Sequence, residues 1–229
     1  MSLYVIGDLH LSLSDKINKP MDIFGDRWSK HDDQIRANWP ASGEDTTVLA
    51  GDISWAMNFA ELRPDFEFIE SLPGRKIILK GNHDYWWTTL KKMNAFAADY
   101  PSVSFLHNNS YEADGVSICG TRGWITEPGE PEDEKILLRE AGRLRESLKS
   151  ARYSEKIVFL HYPPITLAAR CDEILELLSE YGVKRCYYGH LHGKAIKGAF
   201  TGFADGTEFR LISADFLGFK PLKIDNMIQ

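Results

Sequence analysis

Cysteine is scarce in this chain. Cys119, Cys171 and Cys186 are three in number, widely spaced and set in apolar surroundings. An odd count without a Cys-x-x-Cys pair argues against a disulfide framework and against a thiolate metal site. All three read as core thiols in a reducing compartment. Long apolar runs are missing as well, and none approaches the ~20 residues that a membrane-spanning helix requires. From Met1 the chain passes almost directly into the strand-like Leu3-Tyr4-Val5-Ile6. No basic region followed by an apolar stretch marks a secretory signal, so a cytoplasmic location and no membrane partner are expected. There is no excess of positive charge either. The formal net charge is −6, which argues against a general nucleic-acid or anionic-membrane binder. Internal repeats, low-complexity tracts and linker-like segments are also lacking, and one domain over residues 1–229 is expected. Oligomeric state is not legible from these features.

What the chain does contain is ordinary for a globular core, with 43% hydrophobic and 26% charged residues. Leu3–Ile6, Thr46–Ala50, Ile77–Leu79, Val103–Leu106, Val116–Cys119, Lys156–Leu160 and Val183–Tyr188 read as short buried strands. Helical spacing is present over 31–39, closed by Pro40, over 58–70, over 85–100, over 134–150 and over 172–181, where Gly182 stops it. Residues 11–30 look irregular but carry Phe24 and Trp28, and 127–133 is acidic and rich in turn residues. The tail, 195–225, alternates short apolar runs with turns such as Ala204-Asp205-Gly206, which predicts hairpin-like antiparallel strands. The β-loop-β-α-β-α order of the first half favours parallel strands with flanking helices. Together these predict a mixed α/β sandwich.

The strand ends carry the chemistry. The run Arg75-Lys-Ile-Ile-Leu-Lys-Gly-Asn-His-Asp84 stops at Gly81 and delivers Asn82, His83 and Asp84. Other strands end in the same way: Gly7 precedes Asp8 and His10, Gly51 precedes Asp52, and Gly189 precedes His190 and His192, while His161 follows Leu160 directly. Five of the seven histidines lie at such ends. One of these alone would be a capped loop or a satisfied core histidine; five at once point to a shared crevice at the carboxyl ends of a sheet. His190 and His192 are two apart in an extended segment and point the same way. Imidazole with carboxylate and no thiolate suits Mn, Fe, Zn, Co or Ni better than Ca or Mg. Seven candidate ligands exceed one tetrahedral ion and fit a pair of ions, roughly 3.5–4 Å apart, that activate a shared water and hold phosphoryl oxygens.

Asp8-x-His10, Gly51-Asp52, Gly81-Asn82-His83-Asp84, His161 and Gly189-His190-x-His192 resemble, in order, the five motifs of the calcineurin-like metallophosphoesterase superfamily. The resemblance spans residues 7–193 and implies a four-layer α/β sandwich, two mixed sheets flanked by helices. It implies two divalent or trivalent transition-metal ions (Mn, Fe, Zn, Co or Ni). Asp8, His10 and His192 would hold the first, Asn82, His161 and His190 the second, and Asp52 would bridge them. His83 would face the scissile phosphate and assist the leaving oxygen, with Asp84 hydrogen-bonded to His83 as its support. Attack by a metal-bound hydroxide on a small-molecule phosphate mono- or diester is the activity implied.

The chain departs from the protein Ser/Thr phosphatases of that superfamily. Their second motif runs on into Asp-Arg-Gly, whereas here Ile53-Ser54-Trp55 follows, and their third motif usually ends in Glu, not Asp84. The chain also looks too short for the extra domain of the double-strand-break nucleases. A protein phosphatase or nuclease is therefore the weaker alternative, and a non-catalytic metal-stabilised phosphate-binding scaffold is the alternative of another class. Arg122 is a candidate substrate-phosphate contact, with Asn82 beside it. Trp55, Tyr85, Trp86 and Trp87 either stack on a base at the mouth or pack beneath the site. The loops at 20–31 and 127–133 are candidates to edge the pocket, and His31 reads as a surface or helix-capping residue.

Overall fold

Period-two alternation decides the architecture. The computed structural model of the chain describes residues 1–40, 42–125 and 131–225. In β1 (Leu3–Ile6), Leu3 and Val5 share one apolar cluster while Ile6 belongs to another. In β2 (Thr46–Ala50) and β3 (Arg75–Leu79) the same split sets Val48, Ala50, Ile77 and Leu79 against Leu49 and Ile78. Successive strand residues face opposite sides of a sheet, so strands apolar on both faces must be covered on both. β7 (Lys156–Leu160) repeats the pattern, with Ile157 and Phe159 in the shared cluster and Val158 and Leu160 in a third. The shared cluster is the core between two sheets. Outside one sheet lie α1 (His31–Asn38), α2 (Phe59–Ser71) and α3 (Leu90–Ala97), which bury Ile35, Phe66, Ile69 and Met93 against Ile6, Leu49 and Ile78. Outside the other lie α4 (Pro131–Lys149) and α5 (Asp172–Glu180), which cover Val158 and Leu160 with Leu144, Leu148, Ile174 and Leu178. This is the four-layer α/β sandwich of two mixed sheets that the resemblance implies.

The remaining strands are β4 (Val103–Phe105), β5 (Tyr111–Ala113), β6 (Val116–Thr121), β8 (Arg185–Tyr188), β9 (Gly202–Ala204), β10 (Thr207–Leu211) and β11 (Leu222–Ile224). One sheet has the order β11-β1-β2-β3-β4 and the other β5-β6-β7-β8-β10-β9. β1 to β4 run parallel, as do β6, β7, β8 and β10; β11, β5 and β9 are antiparallel edges. The parallel strands bring the carboxyl ends of β1, β2 and β3 beside those of β7 and β8. His161, just past β7, turns its Nδ1 to the Ala50 carbonyl at the end of β2, 3.1 Å away.

Three expectations need correction. The helix expected over 85–100 spans only Leu90–Ala97. Its first residues stay in turns because Asp84 accepts from the Trp86 indole at 3.1 Å and Trp86 is buried against Phe66. The tail is not a plain run of hairpins. Only β9 and β10 form one; β10 also pairs in parallel with β8, and β11 crosses to the other sheet and covers the edge of β1. His31 is buried, neither a surface nor a capping residue, with Nδ1 3.2 Å from the Trp28 carbonyl. The three cysteines are free and buried, as core thiols should be. Residues 127–130 of the acidic segment lie outside the described residues.

Phe66 is fully buried, with the rings of Trp86, Phe96 and Tyr100 within 5.5 Å. Phe66→Ala is expected to lower the unfolding free energy by about 3–5 kcal/mol, read from urea denaturation. A loss below ~1 kcal/mol would contradict this packing.

Candidate metal centre

The loops that leave the sheet ends are tied to one another by their backbones. Asp8 N donates to Gly51 O, His10 N to Asp52 O and Leu11 N to Ile53 O, each at 2.9 Å. Asp8, His10, Asp52 and His190 all have positive φ, at 56°, 46°, 51° and 71°. Side-chain-bearing residues in this region cost of order 1–3 kcal/mol each and persist where the surroundings over-determine them. Two glycines are required by space rather than by φ. A Cβ on Gly81 would overlap the Asp52 backbone nitrogen and carboxylate, and one on Gly189 would press on the Asp8 carboxylate.

These loops bring together all seven candidate metal ligands. Asn82 Oδ1 lies 2.6 Å from His161 Nε2 and 3.0 Å from His190 Nδ1. Asp52 Oδ2 is 3.5 Å from His161 Nε2 and 3.8 Å from His10 Nε2. Asp8 accepts from His190 N at 3.0 Å, and its Oδ1 is 3.9 Å from His161 Nδ1. His10 and His192 meet edge to face, with ring centroids 5.3 Å apart. Asp8, His10 and Asp52 offer donor atoms all within 4.8 Å of one another.

The donor set fits a cation. Both ring nitrogens of buried His10 lack a hydrogen-bond partner among the described residues, an expensive condition for a buried polar group. Burial pushes His161 and His190 down to about 3, so both imidazoles are neutral at pH 7. His161 Nδ1 therefore carries the proton it shares with the Ala50 carbonyl, and its Nε2 lone pair faces Asn82 Oδ1, itself an acceptor. A metal ion drawing on both lone pairs resolves that opposition. The carboxylates are displaced the other way: burial, then Asp52, holds Asp8 well above its usual range, and burial pushes Asp52 up to about 6. Positive charge beside them would reverse that shift.

His83 sits half-buried beside this cluster. Its backbone N donates to Asp52 Oδ1 at 2.7 Å, its Nδ1 lies 3.2 Å from the Tyr85 hydroxyl, and its ring centroid is 4.4 Å from Trp55. Asp84 does not hydrogen-bond the His83 ring, contrary to expectation. Its Oδ2 accepts from Gly81 N at 2.7 Å and Asp52 N at 3.0 Å, and its Oδ1 from Ile53 N at 2.9 Å, Ser54 N at 3.3 Å and the Trp86 indole at 3.1 Å. It clamps the second loop to the third and supports His83 only through the backbone. Against the burial that raises the Asp52 pKa, Arg122 lies near enough to the centre for its charge to lower it. Its guanidinium contacts Glu140 at 3.3 Å and covers Trp124 at 4.6 Å, while its carbonyl receives His161 N at 3.1 Å. Trp86 packs beneath the site, whereas Trp55 and exposed Tyr85 line it.

Two residues were missed. Asp65, fully buried on α2, accepts from Leu13 N at 2.8 Å and from the Ser54 hydroxyl, pinning the first loop to the second. Its signal was a carboxylate on the apolar stripe of Leu62, Phe66 and Ile69. Asp215 accepts from Gly193 N at 2.7 Å, next to His192. It follows the end of β10, but without the preceding glycine that marked the other strand ends.

The two sheets converge seven N and O donors at the carboxyl ends of their parallel strands, an arrangement that can hold metal ions. The calcineurin-like phosphoesterase family profile matches residues 1–194, and the chain belongs to that family. Among solved structures it is similar to a phosphopantetheinyl hydrolase from Mycobacterium tuberculosis (TM-score 0.60, 16% identity, 100% of this chain and 97% of that one). It is also similar to a Thermus thermophilus protein (0.55, 14%, 97% and 97%) and to an Aquifex aeolicus protein of unknown function (0.52, 18%, 97% and 95%). At these identities the likeness concerns the fold. No curated protein sequence matches the chain significantly.

Because burial holds His161 and His190 at about 3, loading should not compete with protons at these two rings. At pH 5, Mn²⁺ binding is expected to displace protons from the raised carboxylates Asp8 and Asp52 and none from His161 and His190, whereas four ordinary histidines would add about four to those two. Affinity should fall as the pH drops through about 6, where Asp52 protonates. Calorimetry in buffers of different ionisation enthalpy counts the protons, and a release near six would refute the burial argument. Asp65→Ala is expected to weaken Mn²⁺ binding by about 10–100-fold and to leave circular dichroism native. Unchanged affinity would show that the two loops hold their geometry without it.

Proposed function

We propose that this chain is a dinuclear metal-dependent phosphoesterase acting on a small-molecule phosphate mono- or diester, working as one domain over residues 1–229. The observation that carries the reading is the convergence of Asp8, His10, Asp52, Asn82, His161, His190 and His192, with both nitrogens of buried His10 unpartnered. Asp8, His10 and His192 would hold one ion, Asn82, His161 and His190 the other, and Asp52 would bridge them. Imidazole and oxygen donors suit Mn, Fe, Zn, Co or Ni. When bound, the ions supply Lewis acidity toward phosphoryl oxygens and an acidified water.

The chain's own residues supply orientation and proton handling. Burial, His192 and Lys19 lower the His83 pKa, against the pull of Asp52, so the imidazole is neutral near pH 7. Nδ1 lies 3.2 Å from the Tyr85 hydroxyl; in the tautomer in which that hydroxyl donates, the ring proton is on Nε2. That N–H can stabilise the charge developing on a phosphoryl or leaving oxygen by hydrogen bonding, while only the imidazolium form, the minor one at pH 7, can pass a proton to the departing alcohol and return to the neutral ring. Trp55 fixes the ring from the side.

The absence of Asp-Arg-Gly after Asp52 favours a small ester over a phosphoprotein. Metal-loaded protein should be assayed on aryl phosphodiesters and monoesters. A panel of cyclic nucleotides, nucleotides, sugar phosphates, phosphopeptides and, after the mycobacterial neighbour, a phosphopantetheinyl ester should follow. His83→Ala is expected to lose about 10²–10⁴-fold in kcat while keeping both ions by elemental analysis, whereas Asp52→Asn should lose metal. Folded protein that binds two ions yet hydrolyses nothing with any divalent metal would leave the non-catalytic scaffold as the correct reading.

A further inference from the structure

The mouth of the metal centre is apolar on one side only. Ile23, Phe24, Met57 and Tyr85 leave 73%, 55%, 61% and 53% of their surfaces to solvent, an unusual grouping of large apolar side chains around a polar site. They border two cavities of about 240 and 320 Å³ that share Asn18, Lys19 and Trp55 as a common wall; Ile23 and Phe24 line the first, which is the more apolar, and Met57 and Tyr85 line the second together with Lys16 and Glu61. Their walls include residues that touch the centre's histidines, although His83 itself lines neither cavity. Trp55 is 4.4 Å from the His83 ring, the Tyr85 hydroxyl is 3.2 Å from His83 Nδ1, and Phe24 is 6.2 Å from His192.

We infer that this two-lobed groove holds the alcohol half of the ester, and that the alcohol is a flexible, largely apolar chain. The inference rests on the phosphoesterase reading. His83 stands on the side from which the alcohol departs, because the group that protonates the leaving oxygen must lie within reach of it; the groove adjoins that side. A stacked base is disfavoured by the wall itself. The Trp55 ring already stacks on His10 at 5.0 Å and 20°, and the Lys19 ammonium stands 5.4 Å over it. With His10 and Lys19 already over its ring, Trp55 leaves less of its face for a base to stack on. No carboxylate among the described residues forms an ion pair with Lys19. Its ammonium sits where the chain joins the anionic phosphoryl group.

The test uses n-alkylphosphonates from methyl to hexyl with the Mn²⁺-loaded full chain. Binding is read by calorimetry and, independently, by competitive inhibition of aryl ester hydrolysis. Dissociation constants are expected to fall about fourfold per methylene over the first several carbons, the equivalent of ~0.8 kcal/mol per buried CH₂. Ile23→Ser combined with Met57→Ser, both exposed positions, should flatten that slope. Methylphosphonate binding as tightly as hexylphosphonate would overturn the inference while leaving the phosphoesterase reading intact. So would a nucleoside phosphonate binding more tightly than the hexyl compound. If no ester is hydrolysed, the phosphoesterase reading fails, and the calorimetric slope still reports on the groove.

Discussion

The Asp84 carboxylate is the interaction on which the site depends. Five donors converge on it, from Gly81, Asp52, Ile53, Ser54 and the Trp86 indole. Four are backbone amides from the loops after β2 and β3, which carry Asp52 and Asn82. A carboxylate placed between two turns satisfies amides that a sheet end would otherwise leave bare. Burial, with Asp52 next, pushes Asp84 up to about 7, so its charge is itself costly. The clamp holds because every hydrogen-bonding direction of the carboxylate is used. Asp65 repeats the device one layer out, joining the first loop to the second through Leu13 and Ser54.

This arrangement changes what supports His83. A direct Asp84–imidazole bond would tie ring orientation to the charge of Asp84. Here ring and carboxylate are separate: Tyr85 and Trp55 contact the ring, while Asp84 fixes the backbone from which it extends. His83 N in turn donates to Asp52, so the residue proposed to face substrate and the residue proposed to bridge the ions share one hydrogen bond.

Much of this was legible because alternation and glycine are local signals. Leu3, Val5 and Ile6 announce a two-faced strand by spacing alone, and Gly81 or Gly189 before polar residues marks a turn in which no Cβ fits. The limits were equally physical. Residues 85–89, Tyr-Trp-Trp-Thr-Thr, are weak helix formers, and Trp86 is drawn inward to the carboxylate of Asp84, so the spacing of Leu90, Met93 and Ala97 does not carry back over them. β11 pairs with β1 across more than two hundred residues, a partnership set by an open sheet edge and not by its own three residues. Arg122 follows a strand end and is read from that alone; its contact with Glu140, on α4, is a long-range pairing that the strand end does not announce. Asp215 lacked a glycine and so lacked a signal.

The local energetics of the centre run against the rest of the fold. Four residues with positive φ, two carboxylates raised by burial and an imidazole with no partner are each unfavourable. They are tolerated because three apolar clusters, above, between and below the sheets, are buried independently of them. The sheets set where the strands end, and the loop-to-loop hydrogen bonds set the backbone there, so no ligand has freedom to relax away from its neighbours. A cation placed among these groups relieves the carboxylate burial, the opposed lone pairs of His161 and Asn82, and the unpartnered His10 together. That shared relief is a physical reason for the donors to be presented as one preorganised set.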